Sequence, residues 1–92
     1  MPVQVLIPTP LQKSTNNEAS AEFEATSINE LIAAMNGRYP GIQERLCDES
    51  GTLRRFLNIY VNGEDIRFTD GLQTAVADGG EVQVLPAVAG GA

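Results

Sequence analysis

The sequence DGGEVQVLPAVAGGA, residues 78–92, closes the chain with an apolar strand that runs through a proline into a segment almost without side chains. Polar and apolar residues alternate in its EVQVL stretch, which is typical of a strand with one buried face. Residues 87–92 reach about 20 Å if they are extended. The Gly90-Gly91 pair, which has no side chains, fits a channel too narrow for any Cβ atom. The pattern predicts a domain over residues 1–86 that projects a flexible C-terminal tail over 87–92.

The composition limits the chain to one small domain. Its 92 residues bury roughly 60–65% of the surface that the unfolded chain exposes, which is enough for a single core. The one cysteine, Cys47, has no partner for an internal disulfide, so we expect a reducing, cytoplasmic environment. No stretch is long and apolar enough to span a bilayer, so we expect a soluble protein.

The charge and the missing residue types exclude several functions. The net charge is −6, from six basic and twelve acidic residues, which argues against nucleic acid and anionic membranes as partners and favours a basic protein surface. The alternative is an acidic surface that serves solubility alone. The chain has no histidine, the commonest general base and metal ligand. Since no paired carboxylates, zinc-site spacing or phosphate loop is visible either, we expect no intrinsic catalysis, no metal site and no bound cofactor.

The first part of the chain predicts two strands. Residues 3–7 form a short β-branched run between two prolines, which predicts a strand. Residues 8–19 are polar or helix-breaking and predict a loop. A weaker alternation over residues 19–25 predicts a second, antiparallel strand.

A helix follows. Ser27 and Glu30 have the spacing of a capping box, in which each side chain satisfies a free amide of the first helical turn. We expect the helix to end at Gly37 or Arg38, before Pro40, and one further helical turn to follow over residues 41–46. The helix carries an apolar stripe that must pack on the strands. Its members are Ile28, Leu31, Ile32 and Met35.

The second half of the chain completes a sheet. Residues 56–61 give the strongest strand signal and predict a central strand. The Asn62-Gly63 pair after it favours a type I′ hairpin turn, because both central residues need positive φ, and predicts a return strand over residues 64–68. Since a helix separates the halves, the first and last strands can pair in parallel. The expected fold is α+β, a β-grasp (ubiquitin-like) mixed sheet of about five strands with one main helix across one face.

Few single residues suggest chemistry. Cys47 stands beside Asp48 and Glu49, whose charges raise the pKa of a thiol, so we expect a structural cysteine rather than a reactive one. Arg54 and Arg55 could meet an acidic partner, but two arginines that lead into a strand are more often a solvated edge.

The sheet face away from the helix is more informative. If the valines and isoleucines of the strands face the helix, alternation places Leu6, Tyr60 and Leu85 on the opposite face. Large apolar side chains on a face that no helix covers usually mark a binding surface. A register error of one residue in one strand would remove this predicted partner-binding patch.

A combination of motifs indicates a family. They are Asp78-Gly79, Val82, Leu85-Pro86, Val88, Gly90-Gly91, the Asn62-Gly63 hairpin and the Tyr39-Pro40-Gly41-Ile42 helix end. Together they resemble the small β-grasp sulfur-carrier proteins, the family of the thiamin carrier and the molybdopterin-synthase small subunit. Within that family, RFLNIYVN over residues 55–62 and LPAVAGG over 85–91 look most like the actinobacterial carriers of cysteine biosynthesis.

The resemblance implies a carrier mechanism. A ubiquitin-activating-like enzyme uses ATP to adenylate the carboxylate of the second glycine, here Gly91, and sulfur then displaces AMP to leave a thiocarboxylate. Val88, Ala89 and Gly90 are the implied recognition residues of the tail, and the patch is the implied contact for the activating enzyme. A synthase takes the sulfur; a cysteine synthase-like enzyme is favoured, and thiosugar, molybdopterin or thiazole synthesis stays open.

One residue departs from the family pattern. The functional form of the family ends at the glycine pair, whereas this chain continues to Ala92. While Gly91 is in a peptide bond it has no carboxylate to adenylate, so our hypothesis is that a protease of the zinc-enzyme class removes Ala92. An alanine that is foreign to the natural chain is the alternative.

Two other functions stay open. The chain could be a ubiquitin-like modifier that is conjugated to lysines through Gly91, or a non-covalent β-grasp interaction module with an inert tail. In each case we expect a monomer in the absence of partners, because the patch is small.

Overall fold

Five strands form one mixed sheet in the computed structural model, which describes residues 2–55 and 57–86. The strands are β1 (Val3–Leu6), β2 (Ser20–Phe23), β3 (Leu57–Val61), β4 (Glu64–Asp65) and β5 (Glu81–Pro86). The helices are α1 (Ile28–Arg38) and α2 (Ile42–Leu46), with 3₁₀ helices at Thr9–Ser14, Ile66–Phe68 and Gly71–Gln73. The α+β class, with one main helix on a mixed sheet, is the one that the sequence predicts.

The order of the strands is β2-β1-β5-β3-β4, so β5 lies at the centre. It pairs in parallel with β1, where Val5 lies opposite Val82, and antiparallel with β3, where Ile59 lies opposite Val84. The predicted parallel pairing of the first and last strands is confirmed. β3 is paired on both sides, as a central strand is, although the parallel pair places β5 between β1 and β3 and therefore in the middle of the sheet.

The N-terminus of α1 carries a shifted capping box. The Ser27 hydroxyl accepts a hydrogen bond from the Glu30 amide at 3.2 Å. The Glu30 carboxylate reaches back one residue further than predicted, and accepts from the Thr26 amide at 2.9 Å and from the Thr26 hydroxyl at 2.8 Å. These two bonds hold the pKa of Glu30 below its ordinary value. The helix then runs through Gly37 to Arg38.

The core lies between α1 and one face of the sheet. The predicted stripe of α1 is buried, and α2 adds Ile42 and Leu46, both fully buried. From the sheet the core takes every second residue, as alternation requires. These residues are Val3, Val5, Ile7, Ala21, Phe23, Leu57, Ile59, Val82 and Val84.

Two predicted segments differ from the structure. The loop over residues 8–19 contains the 3₁₀ helix Thr9–Ser14. The predicted strand over 64–68 stops after two residues, because the Asp65 carboxylate accepts a hydrogen bond from the Arg67 amide at 2.8 Å and starts a 3₁₀ turn. The turn buries Ile66 but leaves Phe68 85% exposed. A strand would have placed both side chains on one face.

A pair of glycine substitutions tests the packing where β5 begins. A Cβ atom added at Gly80 would lie 2.9 Å from the Ala77 carbonyl oxygen, whereas one added at Gly37 would meet nothing within 4 Å. We expect Gly80→Ala to lower the free energy of unfolding by about 1–3 kcal/mol. Gly37→Ala, on the outside of α1, should raise it by about 0.5 kcal/mol, because alanine is the better helix former. Urea denaturation measures both. Equal effects in the two variants would contradict the crowded geometry at Gly80.

Candidate partner-binding face and tail root

The sheet face opposite α1 carries the three apolar residues that alternation assigns to it. Leu6 on β1, Tyr60 on β3 and Leu85 on β5 are each half-buried, while the residue before each of them, Val5, Ile59 and Val84, is buried in the core. We call these three residues the sheet-face patch. No helix of the described residues covers them, since α1 and α2 pack on the other face through the core residues.

The strand register fixes how the sheet-face patch is arranged. Leu6 lies opposite Gln83, and Gln83 lies opposite Tyr60 on its other side. Leu85 lies opposite Asn58, two residues nearer the end of β5. Side chains that are directly opposite have Cβ atoms about 4.5–5.5 Å apart, and diagonal neighbours about 7–8 Å. The patch is therefore a triangle of apolar groups around Gln83.

The edges of this surface are polar. Ser20 of β2 pairs with Leu6 on one side, and Asp65 of β4 pairs with Tyr60 on the other. Gln4 lies opposite Glu81 at the end of the face that is distant from Leu85. An apolar centre with a polar rim is the usual composition of a protein-binding surface.

The last described residue of β5 marks the root of the tail. Pro86 pairs with Leu57, the first residue of β3. The predicted tail-recognition residues Val88, Ala89 and Gly90, the predicted sulfur-carrying residue Gly91 and the predicted processing site Ala92 lie outside the described residues. What the structure establishes is the exit, which lies beside the start of β3 and adjoins the sheet-face patch through Leu85.

Arg67 braces this exit. Its guanidinium donates to the Leu57 carbonyl at 2.6 Å and to the Arg54 carbonyl at 3.4 Å. It also donates to the Asn58 side-chain oxygen. Sequence reasoning missed this residue, because the contact depends on the 3₁₀ turn that replaces the predicted strand.

Cys47 is a structural residue. Its side chain is only 5% exposed, at the C-terminal end of α2. Burial raises the pKa of the thiol, the Asp48 carboxylate raises it further, and Arg54 opposes them. A thiol that resists ionisation is a poor nucleophile, so the prediction of an unreactive cysteine agrees with the structure.

Other kinds of site have no counterpart in the part of the chain that the structure describes. Residues 2–55 and 57–86 contain no group of three or more histidine, cysteine, aspartate or glutamate side chains that could hold a metal ion. The helices within those ranges are too short and too polar to cross a membrane.

The sheet order, with one helix packed across one face, defines a β-grasp protein. The crystal structure of the BexX/CysO complex from Amycolatopsis orientalis matches this fold with a TM-score of 0.89 and 45% identity, over 96% of this chain and 98% of that one. The crystal structure of CysO from Mycobacterium tuberculosis also matches with a TM-score of 0.89, at 48% identity, over 94% of this chain and 99% of that one.

The sequence comparisons agree with the fold. The sulfur carrier protein CysO of M. tuberculosis is 50% identical over 93 aligned positions, which cover 99% of this chain and all of the relative. Small archaeal modifier protein 3 of Haloferax volcanii is 34% identical over 65 positions, 71% of this chain and 70% of the relative. The model of the ThiS family matches residues 5–91. The chain belongs to the ThiS family.

Membership of the ThiS family confirms the general role of a sulfur carrier, which the resemblance implied. The relatives that match over nearly their full length are named sulfur carrier proteins, and the predicted role of a carrier rather than an enzyme is confirmed. No residue of the described surface has to act as a catalyst in that role.

The rate at which the Cys47 thiol is alkylated tests whether this cysteine is structural rather than reactive. At mildly alkaline pH we expect iodoacetamide to modify the native protein far more slowly than the denatured protein, because burial disfavours the thiolate. Asp48→Asn keeps the side-chain oxygen that accepts from Ser50 and Thr52 but removes the charge that raises the pKa, so it should speed the native reaction modestly. Mass spectrometry of the alkylated protein gives both rates. Equal rates for native and denatured protein would contradict the structural role.

Proposed function

We propose that this protein carries sulfur as a thiocarboxylate on Gly91, after Ala92 has been removed, and delivers it to a biosynthetic enzyme. The observation that carries the proposal is the extent of the family match, which runs from residue 5 to residue 91 and stops before Ala92. The matched residues thus include Gly91 and leave out Ala92, which agrees with a functional end at the second glycine. The identity of 50% to a named sulfur carrier over nearly the whole chain supports the same conclusion.

The chemistry requires three steps, each catalysed by a partner. A zinc protease hydrolyses the Gly91–Ala92 peptide bond, which leaves a carboxylate on Gly91 and releases alanine. That carboxylate attacks the α-phosphorus of ATP on a ubiquitin-activating-like enzyme, and pyrophosphate leaves. A sulfur nucleophile then attacks the acyl carbon, and AMP leaves with the electrons of the broken C–O bond. The chain itself supplies the acyl group and a tail without bulky side chains.

The role of the domain in this scheme is to bind and to direct the tail. The sheet-face patch docks on the activating enzyme, and Leu85 links the patch to the tail because it precedes Pro86 on the central strand. Val88, Ala89 and Gly90 are then drawn into the active site of the partner. Since β5 is paired on both sides by β1 and β3, the root of the tail keeps a fixed position relative to the patch.

The acceptor of the sulfur is a synthase. The CysO protein of A. orientalis has been crystallised with BexX, and at 45% identity this supports a direct complex between our chain and a sulfur-accepting enzyme. Cysteine biosynthesis by a cysteine synthase-like enzyme is the favoured use, because the name CysO of the matched sulfur carriers fits a role in making cysteine. Thiosugar, molybdopterin or thiazole synthesis shares the same carrier step.

A second function has a specific observation in its favour. The archaeal modifier protein that is 34% identical to this chain supports conjugation of Gly91 to lysine side chains of other proteins. Such a modifier shares the adenylation step, and differs only in the final nucleophile, an amine instead of sulfur. Isopeptide-linked adducts in cells would favour this alternative over the carrier.

Forms of the chain with different ends test the carrier directly. We expect the form that ends at Gly91, incubated with ATP and a lysate of the native cells, to gain the mass of one sulfur in exchange for one oxygen. The full chain should gain it only after losing alanine, and a zinc chelator should block that loss. The matched control is a form that ends at Gly90, which should gain nothing because its end is one residue short. Intact-mass spectrometry distinguishes all three.

Two results of this experiment would contradict the proposal. Activation of the full chain at Ala92, with that residue retained, would refute the processing hypothesis. Loading of the Gly90-ending form at the same rate as the Gly91-ending form would refute the assignment of the sulfur to Gly91.

Variants of the sheet-face patch test how the activating enzyme is recognised. We expect Tyr60→Ser and Leu85→Ser, in the Gly91-ending form, each to slow sulfur loading by about tenfold, because a central apolar contact at an interface is worth roughly 1.4 kcal/mol or more. Phe68→Ser is the matched control: it removes a large side chain that is 85% exposed but lies outside the patch. Urea denaturation checks that the variants fold. If Phe68→Ser slows loading as much as the other two, the patch is not the docking surface.

A further inference from the structure

The positive charges of this acidic protein are gathered in one place. Four of the six basic residues line a single open groove of about 820 Å³, together with Leu11, Tyr39, Pro40 and Gly41. The four are Lys13, Arg38, Arg45 and Arg54. Of the twelve acidic residues, only Glu44 lines the groove.

The fold collects these residues from four separate segments. Lys13 lies in the 3₁₀ helix that follows β1, and Arg38 is the last residue of α1. Arg45 lies in α2, and Arg54 precedes β3. The residues after β1 fold back, with Ile7 donating to the Ala19 carbonyl at 2.8 Å. They thereby bring Glu18 to Arg38 at 3.3 Å.

Half of this positive charge has no acidic partner among the described residues, since Glu18 pairs with Arg38 and the Asp48 carboxylate interacts with Arg54. Among the described residues, Lys13 and Arg45 have no salt bridge and donate no side-chain hydrogen bond. Arg54 uses its Nε to hold the Glu44 carbonyl at 3.0 Å, which leaves both terminal nitrogens of its guanidinium for a ligand. Arg38 is engaged by Glu18, and its guanidinium also lies 5.4 Å from the centre of the Tyr39 ring.

The groove therefore reverses the conclusion that net charge alone suggests. A net charge of −6 favours a basic partner, but charges on a protein surface act over about 8–10 Å at physiological salt. Within that distance a partner at the groove meets four cations and the lining Glu44. Glu18 beside Arg38 and Asp48 near Arg54 offset two of these cations, so the uncompensated charge is that of Lys13 and Arg45. A surface of this kind attracts carboxylates.

The groove also lies close to Pro86, the last described residue of β5. Arg54 lies three residues before Leu57 in the chain, and Leu57 pairs with Pro86 at the root of the tail. The Arg54 carbonyl and the Leu57 carbonyl are both bound by the guanidinium of Arg67. A partner that takes the tail therefore passes near Arg54, one of the residues that line the groove.

We propose that this groove binds an acidic segment, rich in aspartate and glutamate, of the partner enzyme that receives the tail. The free forks of Arg54 and Arg45 suit bidentate contacts to carboxylates. Cations from four segments, spread along an open groove, fit several carboxylates of an extended chain better than one phosphate group. The identity of the partner rests on the proposed function, whereas binding of an acidic segment depends only on the groove.

A titration with a defined peptide tests the groove. The probe is a ten-residue polyglutamate peptide, added to the ¹⁵N-labelled full chain at low salt, with polyglutamine of the same length as the neutral control. We expect polyglutamate to shift amide resonances around Lys13, Arg38 to Gly41 and Arg45, and polyglutamine to shift none. Lys13→Gln/Arg45→Gln should weaken binding at least fivefold, and high salt should abolish it.

A matched variant separates the groove from the overall charge. Ala33→Glu/Gln73→Glu changes the net charge by the same two units at two exposed residues outside the groove, and we expect it to leave binding within a factor of two. Equal weakening in both variants would overturn the proposal, because it would show attraction by net charge alone. Shifts confined to the sheet face, or no shifts, would also overturn it.

Binding of either phosphate or a second copy of the chain in the groove would overturn the proposal, and each gives a distinct result. Inorganic pyrophosphate that shifts the same amides at lower concentrations than polyglutamate would assign the groove to phosphate. Concentration-dependent shifts of these amides without any peptide would assign it to a second copy of the chain. The mass measurement on Gly91 is independent of all these outcomes, so failure of the groove and failure of the carrier function are distinguishable.

Discussion

The parallel pairing of β1 with β5 is the constraint on which the rest of this structure depends. A parallel pair cannot be closed by a tight turn, so the chain must cross over the sheet between the two strands, and α1 lies on that crossover. The pairing also places the last strand at the centre, held by β1 on one side and by β3 on the other. The segment that carries the tail is thus the best-supported strand of the sheet. A carrier needs this arrangement, because it holds the root of the tail in a fixed position relative to the docking surface.

The two faces of the sheet and the end of the molecule near Pro86 have different roles. The face toward α1 is used for stability, and Cys47 belongs to that core. The opposite face presents Leu6, Tyr60 and Leu85 around Gln83, with a polar rim. Near the root of the tail, the cations of the groove supply a second kind of contact, one that depends on salt. The charged groove would attract a partner and the apolar patch would orient it, and both surfaces lie near the root of the tail.

Much of the fold could be predicted because local signals and the global pattern agree. The Asn62-Gly63 turn is an example: both residues adopt positive φ, 50° and 88°, as a type I′ hairpin requires. The apolar stripe of α1 and the alternation in β1, β3 and β5 likewise placed the core and the sheet-face patch from the sequence. Each of these features depends on residues that are close together in the chain.

The remaining features could not be predicted, because they depend on contacts between distant segments. The hydrogen bond from the Arg67 amide to Asp65 ends β4 early, and it turns Phe68 outward and Arg67 toward the root of the tail. The charged groove joins residues as far apart as Lys13 and Arg54. Sequence reasoning saw Arg54 and Arg55 only as a solvated edge, since nothing in the order of residues shows that α1, α2 and the 3₁₀ helix after β1 converge there.

The central claim is that the acyl group of Gly91 is where sulfur is carried in the living cell. The most direct measurement is mass spectrometry of the C-terminal peptide of the protein isolated from its native cells under conditions that preserve thiocarboxylates. The account predicts peptides that end at Gly91, with a fraction in which one sulfur replaces one oxygen. Peptides that all retain Ala92, or that are all joined to lysine through Gly91, would contradict it.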